Sequence, residues 1–461
     1  MLSDENRDRV VHVTTSSEQR ALHRRTVLAT LGAAAGSGVL AGCATGGPST
    51  TAPAAALAPV TLRYAAPFAP STQVTVEAGR GRIVDAFNTR GPVQVRLESP
   101  QNIYVAVLAQ AAAGDPPDLC HTLPREYHPF VNAGALLELD PLMKRDRRDV
   151  ADIVPTVLND WVRDGHNWGL PQTYPVQALY FNRALFDKQG VQHPDQLEKD
   201  GKWTFDAYLD AARKLTTGTG ETKVWGGFWP NTTLDIQVGF FWSFGGDLWD
   251  RDLKAMALDT KESLAAIQFQ ADLTNKYGVS PTADERKQLP SGNGGTLAAE
   301  RAPMEILMTG AVGQITPTTF PKGMVPLPKG PAGRFVRSAG QGVQMMKGAK
   351  NHEAAWQFTS FQTSVDAEKI MYGLRLSLAW HKGSLGSPDY ARLLLPWESA
   401  AAYAECVNRG RPTRFPGQFT AINALYEPAF DAVRHGKKGA AQAMAEIKSE
   451  VNALMAKSAA K

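Results

Sequence analysis

Residues 93–122 read VQVRLESPQNIYVAVLAQAAAGDPPDLCHT. Val93 to Leu97 alternates apolar and polar side chains, the period of a half-buried strand. Ile103 to Ala113 carries neither Gly nor Pro and predicts a helix, which Gly114, Pro116 and Pro117 bring to a stop. Asp118 to Thr122 returns to a short strand. Upstream, Val60 to Ala65 is another alternating strand, and Val76 to Asn88 an amphipathic helix. Strands separated by helices, without tight hairpin signals, predict an α/β fold with a largely parallel sheet. The loops Ala66 to Thr72, Ser99 to Asn102 and Thr122 to Tyr127 then lie at the strands' carboxyl ends, where open α/β sheets bind ligands. Phe68, Gln101 and Arg125 are the candidate ligand-binding side chains on those loops.

The chain before this unit reads as an address and an anchor. Charged residues are followed by Arg24-Arg25, then by an almost uncharged run from Thr26 to Leu40 that ends in Leu40-Ala41-Gly42-Cys43. That order is a cleaved signal peptide over residues 1–42. The segment from His23 to Leu28 resembles a twin-arginine export signal, although Ala29 stands where a basic residue is common. Leu40 to Cys43 resembles a lipobox, whose cysteine receives a diacylglycerol and becomes the new N-terminus. Two acyl chains hold a protein stably to a bilayer, at about 0.8 kcal/mol per buried methylene. Residues 43–59 supply the lipidated Cys43 and a tether of small residues, roughly 20 Å long as a coil. The expected location is outside the cytoplasmic membrane, on its outer face or on the periplasmic side of a two-membrane cell.

The whole chain has 461 residues, more than one hydrophobic core serves, so two lobes are expected. With 49 Lys and Arg against 45 Asp and Glu, the charge is near balance and carries no nucleic-acid signature. From Asn182 the pattern changes to long helices, notably Thr204 to Leu215 and Lys261 to Lys276, and a second lobe begins near there. Beyond Cys43 only Cys120 and Cys406 remain, which is no disulfide scaffold, and two separate buried thiols are expected, with a Cys120–Cys406 bridge as the alternative.

Motifs for covalent chemistry are missing. No His-Glu-x-x-His or Cys-x-x-Cys is present, so no metal site is expected. Gly292-Asn293-Gly294-Gly295 lacks the Lys-Ser/Thr of a phosphate loop, and no cofactor is expected. There is no Gly-x-Ser-x-Gly elbow. Glu98, Glu126 and Glu305 are the carboxylates a glycosidase would draw on, since such a pair can converge from anywhere in a chain.

Gly169 to Val191 reads GLPQTYPVQALYFNRALFDKQGV. It resembles the strand that crosses between lobes in the family 1 extracellular solute-binding proteins of ABC importers, the group that includes maltose-binding proteins. Tyr180-Phe181-Asn182-Arg183 matches the family's aromatic-aromatic-Asn-basic run. Tyr104 to Leu119, Phe130 to Leu142, Trp203-Thr204-Phe205-Asp206, Ala298 to Gly313, Pro326 to Gly330 and Gly340 to Phe361 follow the family's order as well. The resemblance covers nearly the whole body. It implies a two-lobe, type II periplasmic-binding fold with three crossings, near Val176 to Ala178, Arg337 to Gln341 and Arg411 to Pro416. The first lobe would comprise residues 60–176 plus 340–411, and the second 178–336 plus 416–457, with the solute between them.

The same resemblance selects further binding residues. Gln177 stands at the crossing-strand position where the family often has an acidic or amide contact, with Tyr174 just before it. Trp229 could stack on a sugar and Asn231 hydrogen-bond to it, while Trp242 and Trp249 are assigned to packing. Gln341 lies between two glycines that allow close backbone approach. Arg375 follows the Gly373 turn, and Phe415 lies on the third crossing. Val312 stands where the family often has an aromatic, which argues against a maltodextrin-like ligand stacked there. The implied function is a monomeric, non-enzymatic lipoprotein that captures a carbohydrate or related polyol and hands it to the permease subunits of an ABC importer. The alternatives are an exported lipid-anchored carbohydrate hydrolase or lyase, and a binding protein that feeds a sensor.

Overall fold

The computed structural model describes residues 59–69, 75–228, 233–290, 294–337 and 340–459. The signal peptide, Cys43 and nearly all of the tether lie outside the described residues, as do Trp229 and Asn231. Among the described residues twelve strands occur in chain order: β1 Val60–Ala65, β2 Val93–Glu98, β3 Leu119–Thr122, β4 Val162–Arg163, β5 His166–Asn167, β6 Leu170–Thr173, β7 Gln177–Asn182, β8 Met304–Met308, β9 Lys322–Val325, β10 Val336–Arg337, β11 Gln341–Met345 and β12 Gly410–Arg411.

Five of these form the first sheet, in the order β2-β1-β3-β11-β6. β1 pairs in parallel with β2 and β3, as the strand-helix-strand reading requires. The expectation of a largely parallel sheet needs correction beyond that, because β11 is antiparallel to both β3 and β6. The reason is topological. β6 leads the chain out of this sheet and β11 brings it back, so the two must run in opposite directions. β1, β2, β3 and β6 therefore point their carboxyl ends to one edge, and the crossings leave from that edge.

The second sheet has the order β8-β7-β9, with β7 antiparallel to both neighbours. Every residue of β7 is buried, which is why its sequence QALYFN does not alternate in polarity. Asn182 ends the strand, and its side-chain oxygen accepts from the Leu185 N–H to start the helix Arg183–Lys188. Thr204 does the same for the helix Phe205–Leu215, accepting from Ala207 at 3.2 Å. The second and third crossings pair with each other through β10 and β12, in parallel. Close to the C-terminus, the helices Phe419–Arg434 and Ala440–Ala459 pack on each other and on the helix Lys261–Asn275.

Local boundaries follow side-chain chemistry. β3 begins at Leu119 and not at Asp118, because the Asp118 carboxylate accepts from the Arg63 backbone N–H at 2.9 Å. Cys120 and Cys406 are both buried free thiols, each pushed up in pKa by burial. Trp242 and Trp249 belong to the main hydrophobic core, in keeping with a packing role. Trp249 also donates its indole N–H to the Arg414 carbonyl at 2.7 Å, tying the third crossing to the body.

Candidate functional site

The first wall stands on the carboxyl edge of the five-stranded sheet. Its organising group is Arg80, buried on the helix Val76–Asn88 and outside every sequence-level expectation. Its Nε donates to the Gln172 side chain at 3.2 Å, one terminal nitrogen donates to the Pro67 carbonyl, and the other donates to Gln341 Oε1 at 2.8 Å. Nδ1 of His121 lies 3.3 Å from that second nitrogen. Burial first, and the Arg80 charge second, hold the His121 pKa well below the usual range. Arg80 thus connects the loop after β1, the strand β6 and the start of β11. The one available signal was positional: Arg80 falls on the same helical face as Ile83, Val84 and Phe87, all buried.

The same contacts locate four of the sequence candidates. Gln341 spends its side-chain oxygen on Arg80, inside the first lobe. The two glycines beside it serve packing: a Cβ at Gly340 would come within 2.9 Å of Val157, and one at Gly342 within 2.5 Å of the Trp161 ring. Phe68 is about half exposed, at 51%, and so offers an accessible aromatic face on the loop after β1. Gln101 is exposed at the turn before the helix Ile103–Ala112. Tyr174 is fully buried, with its hydroxyl 2.8 Å from Thr156 Oγ1 and its backbone N–H on Ser377.

The second wall meets the first at Arg125. This guanidinium, at the carboxyl end of β3, donates Nη1 to Asp235 Oδ2 at 2.5 Å and Nε to Glu126 at 3.1 Å. Asp235 lies in the first turn of the helix Leu234–Phe244, where the helix dipole favours a carboxylate. Asn423, from the helix Phe419–Arg434, accepts from the Leu234 N–H at 3.1 Å and caps that helix from outside. Asp235 Oδ2 also accepts from Arg337, on β10, at 3.1 Å. Burial lowers the Arg337 pKa, and Asp235 acts against that shift. Burial likewise raises the Glu126 pKa, against the pull of Arg125. Two guanidiniums and two carboxylates therefore balance at the contact.

Gln177 is buried at the start of β7, and its side-chain N–H₂ donates to the Ile236 carbonyl at 3.0 Å. It borders the contact but is engaged with backbone. Asp160 accepts from the backbone N–H groups of Gly340 and Thr413, at 3.4 and 3.3 Å, and so holds the second and third crossings together. Beside Asp160 lies a cavity of about 510 Å³, walled by Tyr127, His128, Leu253, Thr413 and Phe415. Phe415 itself is almost wholly buried and packs edge-on against Trp249 and Phe419. Arg375 is brought to neither wall of the contact. It pairs with Glu398 at 2.6 Å, donates to the Leu393 carbonyl and adopts a φ of +61°.

The three glycosidase candidates are each engaged by other groups. Glu98 is held by Arg63 and Arg96, and Glu126 by Arg125. Glu305 is buried on β8 and accepts from the backbone N–H groups of Gly294 and Leu297 at 3.0 and 2.9 Å. Burial pushes its pKa up to about 7. A carboxyl raised in the folded state keeps a proton that the unfolded chain has already lost above about pH 4.5. Stability should therefore fall as pH rises from about 5 to 7, by up to about 3 kcal/mol, and level off above that. Glu305→Gln should flatten this slope in urea unfolding across that range. An unchanged slope would place the titration in another group.

Residues 65–369 match the family model described as bacterial extracellular solute-binding protein. Among curated relatives, a Brucella abortus binding protein is 26% identical over 238 residues, covering 50% of this chain and 54% of that one. An arabinooligosaccharide-binding protein of Halalkalibacterium halodurans is 25% identical over 248 residues, covering 51% of each. The chain thus spans about half the length of the curated relatives it matches. Among solved structures, an ABC substrate-binding protein of Listeria monocytogenes in complex with cycloalternan superposes with a TM-score of 0.73 at 18% identity, over 86% of this chain and 99% of that one. The sugar-binding protein of Xanthomonas citri gives 0.72 at 18% identity, over 86% and 98%. These structures share the two-lobe fold, and the family model spans both sheets and two of the three crossings between them. The chain belongs to the bacterial extracellular solute-binding protein family.

Proposed function

We propose that the chain is an exported, lipid-anchored solute receptor that captures a carbohydrate or related polyol between its lobes and presents it to an ABC importer. The observation that carries this reading is the family match, together with a polar, charge-balanced contact made by Arg125, Asp235 and Arg337. A sugar offers hydroxyls that need fixed donors and acceptors, and C–H faces that need aromatic walls. Asp235, Arg337 and Gln177 supply the first, and Phe68 and Trp229 are proposed to supply the second, with Gln101 and Asn231 adding hydrogen bonds. The balance of two cations and two carboxylates suits a neutral solute better than a phosphorylated one. Relatives with this fold include binders of cycloalternan and of a cyclic maltosyl-maltose, and the curated set includes an arabinooligosaccharide binder. A glycerophosphocholine complex shares the fold as well, so the assignment of a sugar rests on the chemistry of the contact.

In this reading the first lobe comprises residues 60–176 plus 340–411 and the second 178–336 plus 416–457, with closure burying the solute. The diacylated Cys43 and the tether keep a monomeric receptor close to the permease, raising its effective concentration there. The test is a thermal-shift screen of neutral mono- and oligosaccharides and polyols, with product analysis of every hit. A true solute at a hundred times its dissociation constant should add about 2.7 kcal/mol of stability. A panel without any shift would remove the carbohydrate assignment, and release of modified sugar would turn the reading to the hydrolase or lyase.

A further inference from the structure

Asp235 is the most constrained side chain at the contact between the lobes. It is fully buried, and its Oδ2 is shared by two guanidiniums: Arg337 on the crossing β10, and Arg125 from the end of β3 in the first sheet. Its other oxygen, Oδ1, has no hydrogen-bond partner among the described residues. Two further groups on the crossings are in the same position. Nε of the buried Arg337 and the hydroxyl of Thr413, on the third crossing, are also without partners there. Native proteins rarely leave buried polar atoms unpaired, and each exception asks for a reason. Here an acceptor, a donor and a hydroxyl that can act either way lie on or against the two crossings, and Thr413 lines the 510 Å³ cavity. A compound rich in hydroxyls, each both donor and acceptor, suits an acceptor such as Asp235 Oδ1 and a donor such as Arg337 Nε.

The two partners of Asp235 differ in kind. Arg337 is buried and sits on the crossing, so its bond to Asp235 is part of the frame. Arg125 comes from the opposite wall, keeps 28% of its side chain exposed and has a second carboxylate, Glu126, to fall back on. It can leave Asp235 without being stranded. Arg125 therefore does for the empty receptor what a solute does for the loaded one, joining the first wall to the second through the same carboxylate.

We propose that Asp235 is the second lobe's acceptor for solute hydroxyls, positioned by Arg337, and that Arg125 occupies it as a surrogate which draws the lobes together until solute displaces it. The nature of the solute rests on the carbohydrate reading above, whereas the pairing does not. A receptor that closes on its own cation spends part of its population in a form that excludes solute, so loss of the surrogate raises apparent affinity. Loss of the acceptor lowers it.

The test uses the full chain kept soluble by Cys43→Ser, alone and with Arg125→Gln or Asp235→Asn. Small-angle scattering without solute should show a compact parent protein and an expanded Arg125→Gln variant. Titration of a sugar that shifts the parent protein should show Arg125→Gln binding at least as tightly, and Asp235→Asn binding about tenfold or more weakly. The proposal is overturned if Arg125→Gln keeps the parent dimensions, or if it weakens sugar binding as Asp235→Asn does, which would make Arg125 itself a solute contact. Should Asp235→Asn fail to fold, the two Arg125→Gln measurements still decide. Should the panel hold no sugar that binds, the carbohydrate reading fails while the scattering comparison alone rules on the pairing.

Discussion

Replacing Arg80 with Met is expected to lower the unfolding free energy by about 3–5 kcal/mol, because three polar acceptors lose a charged donor at once. The Met side chain fills a similar volume, so little of this comes from a cavity. It comes from three acceptors left without a donor: the side-chain oxygens of Gln172 and Gln341 and the carbonyl of Pro67. Gln172 is fully buried while Pro67 and Gln341 are half-buried, and hydrogen bonds to a charged group contribute about 1.5–3 kcal/mol apiece. Arg80→Lys should recover less than half of the loss, because a single ammonium cannot reproduce a planar fork that reaches three separate elements. Urea unfolding gives the measurement. A loss below about 1 kcal/mol in Arg80→Met would mean that the wall reorganises around the missing charge.

Gly342→Val should be nearly as damaging, at about 3 kcal/mol. A Cβ at this position would lie 2.5 Å from two atoms of the Trp161 ring and 2.8 Å from a third. Neither side can retreat. Trp161 is fully buried, packed with Tyr127, Phe130 and Met346 in a hydrophobic cluster separate from the main core. Gly342 belongs to a strand held on both edges, opposite Thr122 of β3 and Pro171 of β6. The added bulk must therefore displace either the ring or a strand that runs directly out of the second crossing. Trp161→Leu in the same chain should restore part of the loss, and a double-mutant cycle would show that the two changes couple. Purely additive effects would mean that the damage arises from strand propensity and not from the ring.

The reading of residues 93–122 was sound for reasons that lie within the segment itself. Alternation marks β2, a run free of Gly and Pro marks the helix Ile103–Ala112, and a Gly followed by two prolines ends it. The N-cap at Thr204 is equally local, since its hydroxyl accepts from the Ala207 N–H only three residues on. β11 was not legible as an antiparallel insertion between β3 and β6. Its sequence says strand, but its direction depends on a chain that has left the sheet and returned.

The site divides along the same line. Loop position at strand ends pointed to Arg125, which does face the second wall. Arg80, Asp160, Asp235 and Arg337 were missed because nothing around them in the chain forms a motif. Arg80 is 261 positions from Gln341, and Arg125 is 110 from Asp235. Gln341 and Arg375 looked available in sequence because their consumers, Arg80 and Glu398, come from other parts of the chain. Amino-acid order by itself determined the strands, helices and caps of this protein and its family, because those depend on periodicity and on neighbours within a few residues. Only the tertiary structure decided which charges meet between the lobes, because an ion pair is set by distance in space, and folding joins residues here that the chain holds a hundred or more positions apart.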